Sequence, residues 1–265
     1  MTATGSRFPA GTFTPAPGVG RLGRMLFTHA RVETSLTLRH GEQILLTLLI
    51  PIALLISLSL LDVLPAGEFE SLPRVDWVTP RILALAVLSS AFTGQAIALG
   101  FDRRYGVLKR LSATALPRWL LVAGRLVAAL VVVTLQVVLL GIVAALLGWS
   151  PSGAGTVFGI VLIVLGTLCF GALGVLLGGA MRAEAVLALA NIVWFVLLLA
   201  GGILMAPATL PDAYGDLVVL LPSGALAEGL HAALVDGRFT AGPVAVLAVW
   251  TVAAGALATR TTKLT

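Results

Sequence analysis

Six long apolar runs, at about 43–62, 80–100, 118–148, 155–180, 185–206 and 242–260, fill most of the 265-residue chain. A helix of ~20 apolar residues crosses the hydrocarbon core of a bilayer. The runs are uniformly apolar, whereas barrel strands would be shorter and would alternate polar with apolar. The expected fold is therefore all-α: a polytopic membrane protein with six transmembrane helices. Composition agrees, since 58% of the chain is hydrophobic and 11% is charged. A soluble domain carries roughly twice that share of charge.

The loops set an orientation. With the N-terminus inside, 14 of the 17 basic residues fall on the cytoplasmic side, and only Arg74, Arg81 and Arg238 fall outside. Eight of the 12 acids fall outside. Lys and Arg in short loops stay on the cytoplasmic side, so both termini are expected there, in a multi-pass protein of the plasma membrane. The same placement explains the pI near 10.3 without nucleic acid, because the basic residues flank the spans.

Residues 1–20 hold Pro9, Pro15 and Pro17 with Arg7 as their one charge, and read as a disordered cytoplasmic tail. The rest, 21–265, reads as a single six-span membrane domain. Over 21–40, Arg21, Arg24, Arg31 and Arg39 recur at helical spacing, with Leu22, Met25, Leu26, Ala30 and Leu36 on much of the other face. This predicts an interfacial amphipathic helix with its arginines near anionic headgroups. Pro51 predicts a kink in the first span. Thr79-Pro80 reads as the cap and first-turn proline of the second. The third run exceeds the bilayer thickness, and Arg125 is expected to snorkel to the inner interface. Gly174 and Gly178 form a small-xxx-small pair that permits close helix packing. Residues 207–241 are punctuated by Pro207, Pro211 and Pro222 yet rich in apolar residues, and predict an outer re-entrant helical element before the last span. Ser223 is its expected helix cap.

Several chemistries lack their residues. A Walker A loop needs lysine directly after glycine, and the two lysines, Lys109 and Lys263, follow Leu108 and Thr262. No acid or histidine sits in the middle of a run, as a proton-coupled carrier would want. Glu184 reads as an interfacial partner of Arg182. His29, His40 and His231 are far apart and suggest no metal site, and Cys169 is alone. No cofactor is expected on this chain, nor any catalytic residue. The amides at depth, Gln95, Gln136 and Asn191, either bond between helices or line a translocation path. Hydropathy alone leaves room for a transporter subunit, a secondary carrier, or a non-transport scaffold or enzyme subunit.

The loop over 101–117 is the most informative segment. It reads Phe101-Asp102-Arg103-Arg104-Tyr105-Gly106-Val107-Leu108-Lys109-Arg110-Leu111-Ser112-Ala113-Thr114-Ala115-Leu116-Pro117. Val107, Leu108 and Leu111 keep helical spacing, and Gly106 permits a turn. The segment resembles the signature loop of permease subunits of type-2 ATP-binding-cassette exporters: Asp102, Arg103, Gly106, Leu108, Leu111 and Pro117 take the pattern's positions. Lys109 stands where the family often has an acid, and Ala115 near where it often has a second proline.

The resemblance extends over most of the chain and is nearest to actinobacterial antibiotic and daunorubicin-type export permeases. It implies that Asp102, Arg103, Arg104, Tyr105, Gly106, Leu108, Lys109, Arg110 and Leu111 form a coupling helix against a separate nucleotide-binding ATPase subunit. ATP and Mg would be held by that subunit. It also implies a second permease copy, or a related permease, with the pathway between them.

Overall fold

The computed structural model describes residues 20–39, 41–61, 73–114, 116–204 and 211–261. All but Gly20 of the expected tail, the acidic loop after the first run, and Lys263 lie outside the described residues. Every regular element among the described residues is helical. The order is α1 (Leu22–Arg39), α2 (Gly41–Leu60), α3 (Arg74–Val87), α4 (Gln95–Arg104), α5 (Val107–Ser112), α6 (Arg118–Leu146), α7 (Gly153–Ala180), α8 (Ala183–Leu199), α9 (Asp212–Leu220), α10 (Pro222–Leu234) and α11 (Ala241–Thr261). A π-helical segment, Leu88–Gly94, joins α3 to α4, so Arg74–Arg104 is one 31-residue helix.

Among the described residues, four helices are long and apolar enough to cross a membrane: Arg74–Arg104, Arg118–Leu146, Gly153–Ala180 and Ala241–Arg260. The other two expected spans are shorter. The apolar part of α2 is Thr47–Leu60, with Pro51 inside it, and α8 stops at Leu199, where the chain bends at Gly201-Gly202. Helices α9 and α10 meet at 90°, as a broken span or a re-entrant hairpin would.

Helix α7 lies at the centre and packs against α3, α4, α6, α8, α10 and α11. Its glycines allow this. A Cβ on Gly174 would stand 2.5 Å from the Phe92 carbonyl oxygen, and one on Gly178 would stand 2.5 Å from that of Ala96. The small-residue pair thus brings α7 onto the π segment and α4 of its own chain. The main core gathers Leu85, Leu88, Phe92, Phe170, Leu226 and Leu230. A smaller cluster, with Leu99, Leu108, Leu121 and Val175, lies under α5.

Three local expectations are corrected. The second span does not open at Thr79-Pro80. Val75, Trp77 and Val78 have apolar surface to bury, so the helix starts at Arg74, and the Thr79 hydroxyl donates back to the Val75 carbonyl at 2.6 Å. Ser223 is not a cap. Pro222, with its preset φ and no N–H to satisfy, starts α10 two residues earlier than a Ser223 cap would, and Ser223 Oγ is buried without a hydrogen-bond partner among the described residues. Glu184 pairs with Arg104 across the helix connection and not with its neighbour Arg182.

Helix α1 packs against α6 and buries His29 and Ala30. Arg21, Arg24, Arg31 and Arg39 are exposed, and so are Leu22 and Leu36 from the expected apolar face. The face seated on α6 is partly polar, because it carries His29 and Glu33 toward Arg125.

Candidate functional site

A cavity of about 460 Å³ opens between α1, α2, the π segment with α4, and α6. Its position follows from local structure. The 31-residue helix carries Ser90, Gln95, Phe101 and Asp102 along one side of the cavity, and Tyr105 follows its last turn. Helix α1 brings Glu33 to it, α2 brings Thr47, and α6 brings Arg125.

Arg125 does not snorkel. It is only 2% exposed, and its guanidinium pairs with Asp102 and lies 3.5 Å from Glu33. An isolated buried charge is costly, so two carboxylates from two other helices turn an interfacial residue into an interior one. Its Nε finds no hydrogen-bond partner among the described residues. His29 Nε2 lies 3.8 Å from Glu33 on the side away from this cavity.

Two of the three amides expected at depth meet here. Gln95 is buried and lines the cavity. Gln136 is buried behind the wall, where its Oε1 accepts from Ser90 Oγ at 2.6 Å and its Nε2 donates to Thr47 Oγ1 at 3.3 Å. Asn191 sits elsewhere. It is exposed on α8, and its amide donates to the Leu187 carbonyl of its own helix at 2.8 Å.

The residues of the 101–117 loop divide into those that anchor it and those that stand out. Helix α4 carries Asp102, Arg103 and Arg104 in its last turn. Arg103 Nη1 donates to the carbonyls of Gly179 at 2.6 Å and Met181 at 3.1 Å, a cation at the C-terminal end of α7. Gly106, at φ 72°, turns the chain in the left-handed conformation that glycine adopts without strain, and α5 follows. Leu108 is 2% exposed and packs with Leu99, Leu121 and Val175, while Leu111 packs against the same cluster. Leu108 thus holds α5 onto its own chain. Arg104, Tyr105, Val107, Lys109, Arg110, Ala113 and Thr114 are exposed.

Sequence reasoning missed the Arg125 cluster, although one signal was present. An arginine beyond the first turn of an apolar run requires a partner, and Asp102 is the acid that precedes the same run. It also missed Arg81, read as an outer residue. Arg81 is buried in α3 and donates to the Gly202 and Ile203 carbonyls, each at 3.2 Å.

A family model described as ABC-2 type transporter matches residues 26–235, from α1 through α10. The chain belongs to the ABC-2 type transporter family. No curated protein matches it. As an ABC-2 permease it is the multi-pass membrane component of an ABC transporter and not the ATPase itself, and the family as a whole works with an ATP-binding partner. The match takes in the Arg125 cluster, the cavity and the 101–117 loop together.

Proposed function

We propose that this permease is the transmembrane subunit of an ATP-driven exporter that moves an amphipathic, lipid-like or drug-like substrate out of the cytoplasm or inner leaflet. Six spans, α2, α3 with α4, α6, α7, α8 and α11, leave both termini cytoplasmic, and α9 with α10 dips into the outer leaflet. The 14 to 3 division of basic residues supports that orientation. A separate ATPase subunit binds ATP and Mg and docks on α5, and a second permease copy or a related permease completes the pathway. The resemblance of the 101–117 loop favours the antibiotic-export branch of the family.

The observation that carries the reading is the exposure of Val107, Lys109 and Arg110 around an anchored Leu108. A short helix held to its own chain by one buried leucine, with its other side presented outward, suits the transfer of force from a docked subunit. Val107→Glu with Arg110→Glu changes only the outward side. With the ATPase subunit co-expressed, the doubly substituted permease should melt like the parent and lose transport-linked ATP hydrolysis. Full hydrolysis in a normally assembled complex would sink the docking assignment.

A further inference from the structure

We propose that the cavity between α1, α2, α4 and α6 binds a protonated amine carried on an apolar body. This inference rests on the export reading and names the chemical class that the inner site takes. Three observations converge on it. The described side chains lining the cavity include two carboxylates, Glu33 and Asp102, against a single guanidinium, Arg125, so their formal charge is −1. In an environment poorer in water than bulk solvent, that unmatched charge favours a monocation and disfavours an anion. Phe101 and Tyr105 flank Asp102 in sequence and both line the cavity. Their rings stack with centroids 6.1 Å apart, and aromatic faces attract ammonium groups.

The third observation is the remaining wall, where Leu36, Ile97 and Val132 suit a hydrocarbon or ring body, and about 460 Å³ holds a molecule of drug size.

A free amphipathic amine and an aminophospholipid headgroup share this chemistry, and the experiment separates them. The full-length permease, reconstituted in phosphatidylcholine nanodiscs at mildly alkaline pH, is titrated with dansylcadaverine. The probe should bind saturably, and dodecylamine should displace it whereas dodecanol should not. Glu33→Gln leaves Arg125 its Asp102 partner and should weaken binding about tenfold or more, as expected for a lost charged contact. Phe101→Leu stays outside the ion cluster and should weaken it by about two- to fivefold. Equal displacement by dodecanol, or parental affinity in both variants, overturns the proposal.

Nanodiscs of phosphatidylethanolamine then identify the source. Weaker probe binding there shows that the lipid headgroup occupies the site, and unchanged binding assigns it to soluble amines. Because no ATPase subunit is needed, this proposal and the export reading fail separately. Intact transport without amine binding overturns the site, and intact binding without ATP-driven transport overturns the export function.

Discussion

Arg81 and Arg125 are both buried in helices long and apolar enough to span a membrane, yet their surroundings differ in kind. Arg81 is held by groups that cannot swing away: the carbonyls of Gly202 and Ile203, and the Trp77 ring, whose centroid lies 4.1 Å from the guanidinium carbon. Its carboxylate contact Glu228 is 3.6 Å away and about a third exposed. Arg125 is held by carboxylates on two other helices, and both line an open cavity. The first arrangement braces α3 against the bend after α8. The second is a set of charges that a ligand could share. Burial alone would have classed the two arginines together, and the identity of the partners separates them.

The largest expected effect comes from Arg125→Met, which strands two acids. Breaking a buried pair costs ~3–5 kcal/mol, and the lower end applies because the Glu33 and Asp102 side chains are 17% and 32% exposed. Thermal unfolding in nanodiscs would show it as a marked drop in Tm. Neutralising the acids as well, with Glu33→Gln and Asp102→Asn, should recover most of that loss. Failure to recover would mean that Arg125 also braces the backbone, and the contrast with Arg81 would collapse.

Arg81→Met should cost about 2–3 kcal/mol through its charge-assisted bonds to two carbonyls. Here the added Glu228→Gln should rescue nothing, since the orphaned acceptors are main-chain oxygens. Glu228→Gln by itself should cost less than ~1 kcal/mol, as a loose and partly exposed pair does. A larger fall in Tm would move Arg81 into the same class as Arg125. Smallest of all is Asn191→Leu, expected within ~0.5 kcal/mol because the amide bonds only its own helix and is exposed. A clear drop in Tm or in permease assembly would show that α8 presents this side to another chain.

The spans were legible wherever a run was long and free of charge. Helices α6, α7 and α11 coincide with their runs because hydrophobicity alone decides such segments. The short helix after Gly106 was legible too, from one glycine and the spacing of three apolar residues. What the sequence hid was tertiary. Asp102 and Glu33 come from helices on either side of the first span, and nothing local to Arg125 names them as partners. Local signals also misled where burial outweighed them. Thr79-Pro80 looks like a helix start, but Trp77 and Val78 extend the helix to include it. Gln95, Gln136 and Asn191 were indistinguishable as amides in apolar runs, and only the fold puts two of them beside a cavity and the third on an outer face.

The π segment at Leu88–Gly94 has a mechanical consequence. A wide turn of this kind holds an extra residue within an otherwise α-helical rod. Rewinding those same residues as ordinary α-helix, with none removed, would turn everything beyond it by about 100° and push it on by about 1.5 Å. Asp102 lies only two turns further along the same rod, so its carboxylate would leave the bearing on which Arg125 waits. The segment is thus a keyed joint in a shaft. Its winding sets the compass direction from which Asp102 and the turn at Gly106 leave the membrane helix, and torsion at either end is delivered to the other through that one coil.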